Sequence, residues 1–243
     1  MEAFWLEQTE ADLPPHDEWL SEGEAVILSR MRFAKRRADW RLGRWTAKRA
    51  SAAFLNLPGD LQALREIEVR PAPSGAPELF LANRRAAASI SISHRAGIAV
   101  CAIASRGAVL GCDLELIEVR SDSFVADYLT TNEQAWIARA SETDRPRLLA
   151  LLWSAKESTL KALHQGLRLD TRCVTPTFGT PADHERGADR FGQALEFPRW
   201  HPLQVRYSED EIFYGWYQSA GYLVRTLVAV PAPSSPLPLR FAA

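Results

Sequence analysis

Two spacings of apolar residues alternate along this chain of 243 residues, and they constrain its fold more than any single residue does. Residues 88–93 alternate between polar and apolar with a period of two, which is typical of a β-strand. Residues 147–164 instead repeat apolar side chains at helical spacing. Because the predicted elements run in the order helix, strands, helices, strands, the sequence predicts an α+β fold.

The predicted helices span residues 31–55, 121–140 and 147–164, with Ser29 capping the first and Gly166 ending the last. Gly107 is predicted to join two of the strands as a hairpin. The predicted strands cover residues 88–93, 97–104, 109–116, 173–178, 193–197, 203–207, 212–218 and 222–230. Loops are predicted at 71–77 and 180–190, and the last dozen residues, rich in proline, are predicted to be loosely held.

The length allows one large domain or two small ones. The order of elements favours two similar halves, 1–118 and 119–243, although no repeat is visible at the level of residues. The net charge of −1 gives no global field toward nucleic acid or membrane. The longest apolar run, 96–104, is too short to span a bilayer, and the first residues do not resemble a secretory signal. Three cysteines without metal-like spacing fit a reducing cytoplasm.

The predicted strand at 109–116 carries two carboxylates on one face. Asp113 and Glu115 alternate with apolar residues, which places their α-carbons about 6–7 Å apart. Two carboxylates this close repel unless a proton or a cation joins them, and Mg²⁺ prefers such oxygen ligands. Gly111, on the same face, is predicted to leave room for a ligand. The alternative is a solvated acidic face.

The helix at 147–164 places Trp153, Glu157 and Lys161 on one face, with Lys156 at its edge. A carboxylate that can bind a metal and take a proton, beside ammonium groups, suits a substrate that carries phosphate. The alternative is an ordinary Glu–Lys pair on a solvated helix surface.

A basic stripe is predicted on the first helix. Its members share one helical face or lie at its start, and they are Lys35, Arg36, Arg37, Arg41, Arg44 and Lys48. Cations at this density favour a phosphate-rich ligand or a polyanion, and a solvated face is the alternative. Trp40 and Trp45 are interpreted as core residues, and stacking on a base is the alternative.

Ser93 and His94 end the strand at 88–93 and could donate to a diphosphate. A hydrolytic Ser–His pair is disfavoured, because adjacent strand residues point to opposite faces. A turn-capping serine and a structural histidine remain the alternative.

Taken in order, these segments and the turn Pro73-Ser74-Gly75-Ala76-Pro77 resemble 4′-phosphopantetheinyl transferases of the surfactin-synthetase-activating type over residues 29–170. The resemblance implies a monomer of two similar α/β halves related by a pseudo-twofold, with mainly antiparallel sheets. It implies transfer of the phosphopantetheine arm of coenzyme A to a serine of an apo acyl or peptidyl carrier protein. The other product would be adenosine 3′,5′-bisphosphate.

The resemblance also assigns roles. Asp113, Glu115 and Glu157 would hold Mg²⁺ on the diphosphate, Glu157 would help to remove the serine proton, and Lys161 would neutralise the leaving phosphate. The residues expected to contact coenzyme A are Arg36, Arg37, Arg44, Ser93, His94, Lys156 and Lys161. Where many relatives have a lysine, this chain has Ala76, so that phosphate contact is either missing or supplied by Arg70 or Arg84.

Residues 121–140 are expected to dock an acidic carrier helix, with Phe124 and Tyr128 in the contact. Three other functions compete with the transferase. A nucleic-acid-binding module would use the basic stripe, and a magnesium-dependent hydrolase of coenzyme A or a nucleotide would need no acceptor protein. A relative that binds carrier protein without chemistry would have no use for three intact acids.

Overall fold

The structure is a computed structural model that describes residues 1–179, 199–208 and 211–239. The loop predicted at 180–190 and the strand predicted at 193–197 lie outside these residues. The helices are α1 (Glu22–Ser29), α2 (Ala34–Phe54), α3 (Leu61–Glu66), α4 (Asp122–Tyr128), α5 (Thr131–Arg139) and α6 (Arg145–Ala162). None of these helices combines the length and the apolar composition that a membrane-spanning helix needs.

The strands confirm the predicted α+β class, because almost all of them pair in antiparallel sheets. The strands in the N-terminal part are β1 (Ala3–Thr9), β2 (Ile67–Pro71), β3 (Pro77–Leu81), β4 (Arg84–Arg85), β5 (Ala88–Arg95), β6 (Ile98–Ser105) and β7 (Val109–Leu116). Those in the C-terminal part are β8 (Thr175–Phe178), β9 (His201–Arg206), β10 (Ile212–Ala220), β11 (Leu223–Val230) and β12 (Leu237–Pro238).

The first sheet has the strand order β12-β1-β6-β5, the second β7-β11-β10-β9-β8, and β2-β3-β4 form a small third sheet. The predicted hairpin between 97–104 and 109–116 is therefore wrong. Both edges of β6 are already paired, one with β1 and the other with β5, so no edge is left for β7. Instead, β7 crosses to the second sheet and pairs with β11, where Asp113 lies opposite Thr226.

An apolar cluster joins the two large sheets. Trp5 and Val100 of the first sheet pack in it with Leu110, Leu114 and Leu227 of the second. The division of the chain at residue 118 stays a prediction, but strand pairing does not follow it. β7 precedes residue 118 and lies in the second sheet, and β12 near the C-terminus pairs with β1 in the first.

The long helix of the N-terminal part carries a buried ion pair. Lys48 on α2 is fully buried and donates to the backbone carbonyls of Trp19 and Leu64. Its ammonium also lies 2.5 Å from Glu24, which forms a capping box with Ser21 at the start of α1.

The same arrangement recurs in the C-terminal part. Lys156 on α6 is fully buried and donates to the carbonyls of Thr171 and Val174. Its ammonium lies 3.0 Å from Glu133, which forms a capping box with Thr130 at the start of α5. In each half a Ser or Thr precedes a Glu by three residues, and a Lys follows 23 or 24 residues later. This repeat supports two similar halves, and it was too sparse to recognise in the sequence.

Several predicted boundaries change for local reasons. Ser29 is the last residue of α1 and does not cap the next helix. Helix α1 itself begins after the cap residue Ser21, downstream of Pro14 and Pro15. The helix predicted at 121–140 is broken into α4 and α5, because Thr130 caps a new helix. The C-terminal segment is more firmly held than predicted: Leu239 N–H donates to the carbonyl of Trp5, next to the β1–β12 pairing.

Candidate active site

The site is built where α6 crosses β7, and Gly111 permits the crossing. A Cβ at position 111 would lie 1.8 Å from the backbone oxygen of Ser158 on α6. Only glycine allows the helix backbone to approach the strand this closely. The prediction that Gly111 makes room for a ligand is therefore wrong, because the helix itself fills that room.

Asp113 lies beside this crossing and is only 4% exposed. Its Oδ1 accepts hydrogen bonds from Lys161 Nζ at 2.7 Å and from Ser93 Oγ at 2.9 Å. Its Oδ2 is buried and has no hydrogen-bond partner among the described residues. Burial disfavours the ammonium form of Lys161, but the charge of Asp113, the hydrogen bond to it and the other nearby acidic groups together outweigh this and raise the lysine pKa.

Glu157 occupies the same face of α6, one turn before Lys161. Its Oε1 is buried without a partner in the described part of the chain. Burial, reinforced by the negative charge of Asp113, raises the pKa of Glu157 to about 7. Two buried carboxylate oxygens, one on β7 and one on α6, thus lack partners in the same electrostatic neighbourhood.

Glu115 lies two residues further along β7 and has partners for both of its oxygens. Trp153 Nε1 donates to Oε1 at 3.0 Å, and an Arg120 N–H donates to Oε2 at 2.9 Å. Arg95 Nε lies 3.6 Å from the same Oε2. Burial and the charge of Asp113 raise the pKa of Glu115, although the two arginines oppose this.

The predicted three-carboxylate metal site is not formed by these side-chain positions. No group of three or more His, Cys, Asp or Glu side chains in the described ranges is placed to hold a metal ion. The unpartnered oxygens of Asp113 and Glu157 do fit a divalent cation that also binds substrate phosphate, since Mg²⁺ commonly uses one or two protein carboxylates. Both oxygens of Glu115, in contrast, accept hydrogen bonds from Arg120 and Trp153.

A pocket of about 200 Å³ lies at the end of the Ser93–His94 strand, as its lining shows. The residues that line it are Asp39, Trp40, Gly43, Arg44, Pro71, Gly75, Pro77, Ile92 and His94. The Arg44 guanidinium lies over the Trp40 ring, 4.9 Å from its centroid. A cation, an aromatic ring and a histidine in one pocket suit a ligand that carries both a base and a phosphate.

A comparison with protein-family models decides the classification. Residues 109–209 match the model of the 4′-phosphopantetheinyl transferase superfamily, a stretch that contains β7 and α6. This part of the chain is similar to the 4′-phosphopantetheinyl transferase superfamily. The match confirms the superfamily predicted from the sequence, whereas the surfactin-synthetase-activating type stays a prediction. A search of curated proteins found no match.

Transferases of this superfamily act on carrier proteins with coenzyme A, and the structure brings together some of the residues expected to do so. Ser93, Asp113 and Lys161 are hydrogen-bonded to one another, and Glu157 lies within electrostatic reach of them. Arg44 and His94 line the neighbouring pocket.

Lys156 does not lie at this site, and its expected phosphate contact is wrong. It points into the C-terminal half, where Glu133 and two carbonyls bind its ammonium. Lys156 and Lys161 are five residues apart, so they lie on different faces of α6. The Trp–Lys–Glu–Lys segment therefore combines one structural lysine with one lysine of the site.

Most members of the basic stripe bind other groups of the protein itself. Arg37 donates to the carbonyl of Leu28, Arg41 pairs with Asp17, and Lys48 is the buried partner of Glu24. This removes the basis for a nucleic-acid-binding face. It also removes Arg37 from the expected coenzyme A contacts. Arg36 is exposed, and Lys35 pairs with Asp39.

The turn around Ala76 does not provide the replacement that we expected at Arg70. Arg70 pairs with Glu68 and Asn83, away from the pocket lining. Arg84 is exposed on β4. Instead, Arg168 reaches the turn and donates to the carbonyl of Ser74. No local pattern pointed to Arg168 or Arg120, because their roles depend on contacts that form only in the folded chain.

Proposed function

We propose that this chain transfers the 4′-phosphopantetheine arm of coenzyme A to a serine hydroxyl of an apo acyl or peptidyl carrier protein and releases adenosine 3′,5′-bisphosphate. The observation that supports this most is the pair of buried, unpartnered oxygens on Asp113 and Glu157 beside Lys161. An arrangement with two bare carboxylate oxygens next to an ammonium group suits a metal-bound diphosphate.

The proposed step is a displacement at phosphorus. The serine oxygen forms a bond to the phosphorus that carries pantetheine, and the bond from that phosphorus to the bridging oxygen breaks. The electron pair leaves with adenosine 3′,5′-bisphosphate. A bound Mg²⁺, held by Asp113 and Glu157, would neutralise charge on the diphosphate.

The residues of the chain supply the rest. Glu157 takes the serine proton, directly or through water, as a general base. Lys161 neutralises the leaving phosphate, and Ser93 orients Asp113 and Lys161 through its two hydrogen bonds. Arg44, His94 and Trp40 bind the 3′-phosphate and adenine end in the pocket.

The test is to incubate the protein with coenzyme A, Mg²⁺ and a panel of apo carrier proteins, and to weigh each carrier intact. We expect the mass of one phosphopantetheine to be added. Asp113→Ala and Glu157→Ala should each abolish the gain, because each removes a proposed metal ligand. Arg44→Ala should mainly raise the coenzyme A concentration that is needed.

Asp170→Asn serves as the matched control, because Asp170 is an exposed acid that pairs with Arg172 at the surface. It should label carriers like the wild type. Full labelling by Asp113→Ala would contradict the assignment of the site. Release of adenosine 3′,5′-bisphosphate without any carrier would instead indicate the competing hydrolase.

Carrier docking over residues 121–140 stays part of this proposal. Phe124 and Tyr128 each pack on the Trp153 ring with centroids 5.0 Å apart, so replacing them would also disturb α6. Val119 is 86% exposed beside the same helix and makes a cleaner probe. We expect Val119→Asp to weaken carrier binding while coenzyme A binding is retained. We further propose a monomer that works in the cytoplasm.

A further inference from the structure

We propose that Arg168 is a positioning residue that fixes the turn at residues 72–76 as a wall of the ligand pocket. It would strengthen the binding of coenzyme A through this turn and would leave the transfer step itself unchanged. The inference rests on the proposed function, because it takes coenzyme A as the ligand of that pocket.

The turn is a wall that two adjoining pockets share. Gly75 lines the pocket of about 200 Å³ described above. Ser74 and Ala76 line a second pocket, of about 380 Å³, and Pro77 lines both pockets. A displacement of the turn therefore changes the shape of both pockets at once.

The hydrogen bonds within the turn fix its shape but not its place on the molecule. Ala72 N–H donates to the carbonyl of Ala76 at 2.8 Å, and Gly75 N–H donates to the carbonyl of Ala72 at 2.8 Å. Ala76 N–H donates to Ser74 Oγ at 3.3 Å. These bonds do not use the carbonyl of Ser74, which accepts a hydrogen bond from Arg168 Nη2.

The end of α6 places Arg168 next to the turn. The chain reverses after this helix, where His164 and Gly166 adopt positive φ values of 55° and 51°. A short 3₁₀ helix, Gly166–Arg168, follows the reversal. Arg168 Nε also donates to the carbonyl of Gln165 at 3.3 Å, so its guanidinium joins the turn to the segment that follows α6.

This link joins the two elements that face each other across the second pocket. Ser74 lines that pocket from the turn, and His164 lines it from the end of α6. Leu79, Ile90 and Leu110 also line it and are at most 6% exposed. Without Arg168, the turn would lose a bond that holds it toward α6 across this pocket.

The charge of Arg168 has no carboxylate partner in the described part of the chain, whereas the nearby Arg172 pairs with Asp170. An uncompensated guanidinium beside the pocket also favours a ligand that carries phosphates. Arg172 is exposed as well and lies four residues further along the chain, so it provides a matched control.

The experiment is calorimetric titration of the full-length protein with adenosine 3′,5′-bisphosphate, which has no arm to transfer. Arg168→Ala should raise the dissociation constant about fivefold, the size expected for the loss of one hydrogen bond. Arg168→Lys should stay within about twofold of the wild type, because an ammonium group can still donate to the Ser74 carbonyl. Arg172→Ala should bind like the wild type.

Two further measurements separate positioning from folding and from chemistry. Hydrogen exchange of peptides that span the turn should be faster in Arg168→Ala than in the wild type, at an unchanged melting temperature. In the carrier-labelling assay, Arg168→Ala should raise the KM for coenzyme A about fivefold and leave kcat and the KM for the carrier unchanged.

An unchanged dissociation constant for Arg168→Ala would overturn the inference alone. So would an Arg168→Lys variant that binds as weakly as Arg168→Ala, or a loss confined to kcat. A wild type that binds neither coenzyme A nor adenosine 3′,5′-bisphosphate would overturn the proposed function and this inference together. Binding that depends on Arg168 without transfer to any carrier would contradict the proposed function alone.

Discussion

Two lysines on α6 differ in role because of a spacing of five residues. Lys161 faces β7 and pairs with Asp113, whereas Lys156 faces the C-terminal core and pairs with Glu133. Both match the helical segment that the sequence indicated, and residue type alone does not separate them. What separates them is the surface that each helix face meets after folding.

The raised pKa of Glu157 predicts that the stability of the protein depends on pH. The pKa of Glu157 is about 7 in the folded protein and about 4.5 when unfolded, so the folded state binds more protons between these values. The free energy of unfolding of the metal-free protein should therefore fall as pH rises from about 4.5 to about 7. The loss should be at most ~3 kcal/mol, from 1.36 kcal/mol per pKa unit.

Urea unfolding in the presence of a chelator, at several pH values, measures this effect. The informative quantity is the difference between wild type and Glu157→Gln, because other carboxylates cancel in it. The stability of Glu157→Gln relative to wild type should increase across this pH window. A difference that stays constant from pH 4.5 to 7 would show that Glu157 ionises normally.

Among the secondary-structure elements, each half of the chain joins two helices through a buried Lys–Glu ion pair. A capping-box glutamate at the start of one helix neutralises a buried lysine on a longer helix. The lysine also donates to two backbone carbonyls, those of Trp19 and Leu64 in the N-terminal half and those of Thr171 and Val174 in the C-terminal half. This explains why two conspicuous cations of the sequence take no part in binding a ligand.

Lys48→Met and Lys156→Met should each destabilise the protein by about 3–5 kcal/mol, because a buried glutamate loses its partner. Lys35→Met is the control, since Lys35 is exposed and its pair with Asp39 contributes about 0–1 kcal/mol. Chemical unfolding measures all three. Adding Glu133→Gln to Lys156→Met should restore part of the loss, whereas further loss would contradict the pairing.

At the scale of the whole molecule, the two sheets share strands across the predicted boundary. β7 leaves the first half and becomes an edge of the second sheet, where α6 covers it. Asp113 and Glu115 therefore lie on a strand that belongs to one half by sequence and to the other by hydrogen bonding.

The pairing of β7 with the second sheet predicts where the chain can be divided into fragments. Residues 107–243 contain β7 with its partner β11 and with α6, whereas residues 119–243 lack that strand. We expect the fragment 107–243 to unfold cooperatively and the fragment 119–243 to remain without a cooperative transition. Circular dichroism during heating measures both. Equal behaviour of the two fragments would show that β7 is dispensable to the second sheet.

The sequence could supply much of the site because its signals are local. Period-two alternation placed Asp113 and Glu115 on one strand face, and helical spacing placed Glu157 and Lys161 together. It could not show that Trp153 and Arg120 bind Glu115, since Trp153 is 38 residues away from it. Nor could alternation tell which strand β7 would pair with.

Residue order was enough to predict the helices and strands with strong periodicity, the family resemblance and the residue types at the crossing of β7 and α6. Only the packed molecule showed the partner of β7, the burial of Lys48 and Lys156, and the hydrogen-bond partners of Glu115. Periodicity depends on neighbours a few residues apart, which the chain fixes before it folds. Partners depend on which surfaces meet, and these meet only when distant segments pack together.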